Sequence, residues 1–280
     1  MPVSLIVSLF DQPKIDSHCH ILDPARFPYA PDVSYRPAGQ EIGTLAQYRQ
    51  VMDAYGIRHA LLVGPNSGYG LDNRCLLDAI AHGEGRFKGI AVVANDTGRE
   101  ELQRLRDLGV VGLAFNATVL GIKHCANAEG LWRRMAELDL VASLQVEHDQ
   151  PAALRAQIER SGVRVLIDHC GRPAAERGVG QPGFRALLAL AATGRVAVKL
   201  SGYQKFSSLP PPHEDTRPFL DALLDAFTTD ACLWASDWPF LKAAQHLDIG
   251  PLLRQVERWL PDAADRNKVL WETPRHWLGF

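Results

Sequence analysis

The sequence predicts a single-domain α/β protein over residues 1–280, a (β/α)8 barrel of the TIM type. Three observations predict it. Eight short apolar runs alternate with longer stretches of helical periodicity, the order expected of parallel strands joined by right-handed crossovers. Several of the runs are near-continuous in Val, Ile, Leu and Ala, as strands covered on both faces are. Ionisable residues gather at the carboxyl ends of the runs, the end at which such barrels carry their sites.

The strand candidates, in order, are 14–20 (KIDSHCH), 59–64, 87–93, 110–115, 140–146, 163–169, 195–201 and 232–237. Between the first two, residues 44–55 place Leu45, Tyr48, Val51, Met52 and Tyr55 on one helical stripe. Residues 72–82 repeat the pattern with Leu76, Leu77, Ala79 and Ile80. Residues 97–108 open with Thr97 as N-cap and Glu100 three positions on, a capping-box arrangement, and stop at Gly109. The same periodicity runs through 127–138, 151–160, 182–192 and 214–227, and a last pair near 245–260 and 262–272 closes the chain. The prolines at 210–212 mark a long loop after the seventh strand. No repeat, low-complexity segment or interdomain linker interrupts the alternation. A chain of 280 residues suits one closed barrel, with an open doubly wound sheet as the alternative.

The bulk numbers exclude several function classes. With 30 Lys and Arg against 32 Asp and Glu, the formal net charge is −2, and no long basic stretch offers a nucleic-acid footprint. No segment approaches the roughly 20 apolar residues of a membrane span. The cysteines, Cys19, Cys75, Cys125, Cys170 and Cys232, are odd in number, widely spaced and without a C-x-x-C pair, which points to a reducing cytoplasm rather than a disulfide framework. The N-terminal MPVSLIVSLF is apolar, but no Lys or Arg precedes it and no clear A-x-A site follows, so it is not read as an export signal. The expected partner is a small molecule. Oligomeric state is not legible.

The chemistry sits at strand ends. Strand one ends in His18-Cys19-His20, strand six in Asp168-His169-Cys170-Gly171-Arg172-Pro173, strand seven in Lys199-Leu200-Ser201-Gly202 and strand eight in Ser236-Asp237-Trp238-Pro239. Residues two apart in a strand share a face, so His18 and His20 can both face the lumen while Cys19 points to the helices. Barrel closure sets strand eight beside strand one and brings Asp237 to the histidine pair; His169 arrives from the other side of the mouth. Neutral imidazoles converging on a carboxylate can hold a divalent metal. They can equally polarise a carbonyl while Asp237 takes a proton from water. Taken singly, each of these residues has a bland reading, an H-x-H in a core or an Asp in a turn. Their coincidence on one rim favours function.

IDSHCH, IDHCGRP and WASDWP, with DNR at 72–74 and SYRP at 34–37, resemble motifs of the amidohydrolase superfamily, in the branch of 2-pyrone-4,6-dicarboxylate and sugar-lactone hydrolases. The likeness runs across the whole chain. It implies a lactone hydrolase in which Asp237 activates water while His18, His20 and His169 polarise the carbonyl. It implies no cofactor, since the dicarboxylate lactonase works without a metal; the alternative is one zinc ion at His18, His20 and Asp237, as in other members. Mononuclear members add a histidine from strand five, where this chain has Gln145, with His148 slightly beyond. Strand four, GLAFNA, has no lysine to bridge two metals.

For substrate binding the resemblance implies Tyr35 in the first loop and Lys205 in place of an arginine after strand seven. Ser67, Arg74 and Gln145 are further candidates. Two carboxylate-gripping arginines of the dicarboxylate lactonase align with Ala114 and Leu120, neither of which can make a bidentate pair. A less anionic lactone is therefore expected, with Lys205, Lys123 or His124 available to one carboxylate. Bland readings stand beside these. Arg74 can simply brace loops, Ser67 and Tyr69 can form a turn, Trp238 can supply packing or screen Asp237, and Glu147 and Asp149 can cap or flank the helix after strand five. The rival functions are a mononuclear zinc-dependent hydrolase or decarboxylase, a metal-dependent phosphoesterase, and a binding protein on an inactive barrel.

Overall fold

Eight parallel strands form one sheet in sequential order: β1 (Lys14–Cys19), β2 (Ile57–Val63), β3 (Phe87–Ala91), β4 (Val110–Asn116), β5 (Val141–Gln145), β6 (Val165–Ile167), β7 (Val196–Leu200) and β8 (Cys232–Trp234). They are seen in a computed structural model that describes residues 8–280; the first seven residues of the apolar N-terminal segment lie outside the described residues. Each expected strand is present; most are trimmed at the end where the chain turns into a rim loop, whereas β4 runs one residue further, to Asn116, and β2 starts two residues earlier, at Ile57.

Seven seams are parallel ladders, with register shifts in β1–β2 and β3–β4. The eighth, between β8 and β1, is made differently. Asp237 N donates to His18 O and His20 N to Trp238 O, each at 2.8 Å, beside one Cys19–Trp238 bridge. Lower in the seam the buried Asp16 carboxylate does the joining. It accepts from Ser236 N at 2.8 Å, from Ser236 Oγ, from His18 N at 3.2 Å and from Tyr48 OH at 2.7 Å. Burial raises the pKa of Asp16 although these donors pull it down. The nearly closed (β/α)8 barrel expected from the sequence is therefore the fold, and the open-sheet alternative falls away.

The core has two layers, because alternate side chains point to opposite faces of each strand. On β7, Val196, Val198 and Leu200 pack outward under the helices, whereas Ala197 lies in the lumen. Ile15, Leu61, Ile90, Val141, Leu166 and Leu233 fill the same lumen layer, and Trp277 and Leu278 of the terminal helix Thr273–Leu278 pack against it. All five cysteines are free and buried.

Thr44 caps the helix Leu45–Ala54 in a reciprocal capping box with Gln47. The box expected at Thr97 and Glu100 does not form. The helix there is Arg99–Asp107 with Gly98 at its N-cap, and Thr97 belongs to the preceding turn, its N–H donating to Ala94 O. The last pair of helical segments is also divided differently. Ile249–Trp259 and Ala263–Asn267 are followed by a π-turn, Lys268–Glu272, that leads into the terminal helix. Among the described residues no helix is long and apolar enough to cross a membrane.

Candidate active site

A bulge in β1 aims the histidines. Ile15 lies in the lumen and Cys19 in the outer layer, although residues four apart in a regular strand share a face. The register shift between Asp16 and Cys19 reverses the phase, so that His18 and His20 point into the lumen. At the other strand ends the backbone is bent. His169, Cys170, Arg172 and Asp237 have φ of 52°, 56°, 42° and 63°, left-handed values that non-glycine residues rarely adopt. Gly202 (φ 65°) makes room for this turn, since a Cβ there would lie 2.7 Å from His169 Cβ.

The result is a compact cluster. Asp237 Oδ1 lies 3.8 Å from His18 Nε2, 3.7 Å from His20 Nε2 and 3.6 Å from His169 Nε2, and the two nitrogens of His18 and His20 are 3.3 Å apart. Asp237 Oδ2 faces Lys205 Nζ at 2.9 Å. Each imidazole is held from behind: His20 Nδ1 by Val63 O at 2.8 Å, His169 Nδ1 by Ser201 Oγ at 3.0 Å, and His18 Nδ1 by Lys199 Nζ at 3.2 Å. Lys199 also pairs with Asp168 Oδ1 at 2.9 Å and donates to Ser143 Oγ at 2.8 Å.

Burial governs the charges. Desolvation, reinforced by the Lys199 cation, pushes His18 down to about 4 against the pull of Asp168. Desolvation likewise drives His169 well below the usual imidazole range, with His18 and Lys205 adding to it and Asp237 opposing. For Asp237 desolvation acts upward, but Lys205 and the surrounding imidazoles outweigh it and hold the carboxyl well below the usual range. Asp168 behaves in the same way, through Lys199 and His18. At neutral pH His18 and His169 are therefore neutral and Asp237 is a carboxylate. That is the state a general base needs.

Above the cluster opens a cavity of about 510 Å³, the size of a small-ligand site. His18, His20, His169, Asp237, Lys205, Ser67 and Gln145 all line it, as does Ala114. Tyr35 is not in the lining; its hydroxyl donates to Glu41 and its ring lies under Lys242 Nζ, 4.5 Å away, with neighbouring Ser34 reaching the cavity instead. Arg74 is also outside, 71% exposed in its side chain and paired with Asp72 at 2.7 Å. Leu120 is exposed, His148 is exposed, and neither Lys123 nor His124 lines the cavity. Trp238 stacks on Tyr48, centroids 4.7 Å apart, which is a packing role.

Several lining residues carry no signal in the sequence. Asn116 ends β4, Thr118 and Gln204 stand in the short helical turns Ala117–Leu120 and Tyr203–Lys205, and Lys242 and Gln245 stand in a loop, a course the hydrophobic pattern does not trace. Asp149 stands at the N-cap position of the helix Gln150–Ser161, its side chain accepting from Gly183 N and Arg177 at 3.0 Å each. Glu147, two residues earlier, flanks the helix and reaches across to Arg172 at 3.0 Å. Lys199 could have been found. In RVAVKLS it occupies an inward position of an otherwise apolar strand, where a charge needs a partner.

The donor set has the size of a metal centre but not its charge. Tetrahedral zinc with ligand bonds of about 2.0–2.1 Å needs ligand atoms about 3.4 Å apart, and the separations of 3.3–3.8 Å come near this. One donor atom each from His18, His169 and Asp237 falls within 4.8 Å of the others. Yet an ammonium stands behind His18 and another against Asp237, so a dication would enter beside two cations. Gln145, at the end of β5, gives no imidazole there. As charged here, the two ammonium groups oppose a divalent ion at this set.

A family model described as amidohydrolase matches residues 15–280. The chain is similar to the 4-sulfomuconolactone hydrolase of Rhizobium radiobacter, 32% identical over 274 residues that cover 94% of this chain and 89% of that one. It is 28% identical over 273 residues to the 2-pyrone-4,6-dicarboxylate hydrolase of Comamonas testosteroni, covering 93% and 88%. A probable 2-pyrone-4,6-dicarboxylic acid hydrolase of Acinetobacter baumannii, solved with citric acid bound, superposes with a TM-score of 0.87 at 23% identity over 95% of this chain and 99% of that one, a likeness of fold. The motifs at β1, β6 and β8, the barrel that joins them and the matched 15–280 agree: this chain belongs to the amidohydrolase family.

Proposed function

We propose that this protein hydrolyses a small lactone of the sugar or pyrone type, without a metal cofactor, in the cytoplasm. The observation that carries the reading is the Asp237 carboxyl group facing three imidazole nitrogens at 3.6–3.8 Å under an open cavity. Asp237 Oδ1 removes a proton from water as its oxygen attacks the lactone carbonyl carbon. The imidazoles stabilise the oxyanion that forms. Collapse of the tetrahedral intermediate breaks the ring C–O bond, and the Asp237 carboxyl returns the proton to the leaving oxygen, giving a hydroxy acid. Lys205, paired with Oδ2, leaves Oδ1 turned to the histidines. The lactone-hydrolysing relatives support the reaction class.

The walls support a substrate with hydroxyls and at most one anionic group. Amides and hydroxyls from Asn66, Ser67, Asn116, Thr118, Gln145 and Gln204 surround the cavity. Arg172 is matched by Glu147 and Lys205 by Asp237, while Lys242 makes no ion pair among the described residues. A dicarboxylate would bring more negative charge than such walls can match.

The test is hydrolysis of aldonolactones, muconolactones and 2-pyrone-4,6-dicarboxylate by chelator-treated protein, with Asp237→Asn as control. Turnover of one lactone class, lost in the variant, is expected. The convergence of donor atoms from His18, His169 and Asp237 within 4.8 Å favours, as the second reading, a mononuclear zinc-dependent hydrolase or decarboxylase in which the two neighbouring ammonium groups give way to the ion. Activity that vanishes on chelation and returns with zinc would establish that reading instead.

A further inference from the structure

Lys199, with its partner Asp168, is a charged side chain of the site floor that the hydrolytic scheme leaves without a task. It projects from β7 into the lumen, fully buried, with Nζ 2.9 Å from Asp168 Oδ1. Paired with this buried carboxylate as an ammonium, Lys199 has three donors and no acceptor. Three atoms receive them. Asp168 Oδ1 is one. Ser143 Oγ, 2.8 Å away, is the second; its own proton goes to Asp168 Oδ1 at 3.0 Å, so toward Lys199 it accepts. The third is His18 Nδ1 at 3.2 Å.

An ammonium cannot accept, so His18 Nδ1 must, and the neutral ring then carries its proton on Nε2. That proton points at His20 Nε2, 3.3 Å away. His20 is free to accept it, because its Nδ1 faces the Val63 carbonyl at 2.8 Å and a carbonyl only accepts. From the ammonium to the strand carbonyl every donor meets one acceptor. The competing arrangement, His18 Nδ1 donating to Asp168 Oδ1, spans 3.5 Å and sets an N–H against the Lys199 cation.

We propose that Lys199 is a positioning residue that holds His18 as its Nε2–H tautomer, so that of the three imidazoles His18 donates to the lactone carbonyl oxygen, whereas His20, with Nε2 unprotonated, accepts from the attacking water instead of stabilising the oxyanion. The division of labour rests on the lactonase reading; the tautomer does not. During attack one water proton passes to Asp237 and the other stays hydrogen-bonded to His20 Nε2. The Nε2–H of His18 turns from His20 to the carbonyl oxygen as charge develops there.

The experiment uses full-length protein labelled with 15N at histidine, with the His18 signals assigned by their loss in His18→Gln. The wild-type spectrum is expected to show a protonated Nε2 and a bare Nδ1 on His18. In Lys199→Met the proton should move to Nδ1, toward Asp168, and kcat should fall about 100-fold, the size of losing one oxyanion donor, with KM within about threefold. A wild-type proton on Nδ1 overturns the proposal, and does so even if the variant fails to fold. An unmoved tautomer in a folded Lys199→Met overturns it too, as does a switched tautomer with undiminished kcat. If no lactone is turned over while the Nε2–H signal is present, the lactonase reading fails and the tautomer assignment stands.

Discussion

The floor of the cavity and its walls are built on opposite terms. In the floor, His18, His169, Asp168, Lys199 and Asp237 are each at most 3% exposed, come from strand ends, and are held by ion pairs and hydrogen bonds of fixed direction. In the walls, Ser67, Gln145, Arg172 and Gln204 are half-buried, come mostly from loops, and meet neutral or charge-matched neighbours. Chemistry needs atoms placed to within a fraction of an ångström, which strands and bent strand ends supply. Selectivity needs surfaces that can change without moving those atoms, which loops supply. Floor substitutions should therefore destroy rate or fold, and wall substitutions should re-weight substrates.

The largest effect belongs to Asp237. Replacing it with Asn keeps the shape but removes the base, and kcat on the best lactone should fall by about 10²–10⁴-fold; retention of wild-type kcat would show that the floor does not house the base. Asp16 comes next, as the carboxylate that closes the barrel seam. An Asn there presents an amide to at least one of the four donors now aimed at the carboxylate. The loss in unfolding free energy should be about 3 kcal/mol by urea titration, and a loss below about 1 kcal/mol would mean the seam closes without Asp16.

The floor should also show itself in pH dependence. His169 and His18 have folded pKa values depressed below the unfolded 6.5, so their penalty is absent above pH 6.5. As pH falls below that, the unfolded chain binds protons that the fold refuses, and stability drops by up to about 1.4 kcal/mol per pH unit for each such ring. For His18 the drop continues to about pH 4. Asp16, raised by burial, acts in the opposite sense. Comparing wild type with His169→Asn at pH 7 and pH 5 isolates one ring, since Asp16 is common to both. The variant should lose less stability on acidification; an equal loss would mean His169 can be protonated in the fold.

The same contrast sets what could be read in the sequence. The strand order, the barrel and the meeting of His18, His20, His169 and Asp237 followed from alternation and from closure of strand eight on strand one. A rim defined by strand ends is a topological fact, and topology is written in periodicity. The β1 bulge was invisible, because one extra residue leaves no mark in composition, and the H-x-H spacing concealed it. Thr97 failed as a cap because two sequence positions separate it from the first helical residue, a shift pattern reading does not resolve. Tyr35 and Arg74 show the limit for the walls: each found a nearby acidic partner, Glu41 and Asp72, outside the cavity lining. The Glu147–Arg172 pair spans two loops 25 positions apart in sequence, beyond any local signal.

That pair offers the smallest and most selective test of the contrast. Glu147 and Arg172 both line the cavity, and their side chains are 28% and 22% exposed, so the ion pair itself adds little to stability. Its consequence is electrostatic: Glu147 matches the guanidinium that an anionic substrate group would otherwise meet. Glu147→Gln keeps the side-chain length and removes that match. The ratio of kcat/KM for a carboxylated lactone to that for its neutral counterpart should rise by about 3–10-fold, one new charge-assisted contact partly screened by water. Unfolding free energy should stay within about 0.5 kcal/mol of wild type. A rise in the ratio with unchanged kcat on the neutral lactone would make the wall adjustable independently of the floor. If instead kcat falls on both lactones alike, the pair bears on the bent backbone at His169 through Arg172, three residues on, and the two regions are mechanically one.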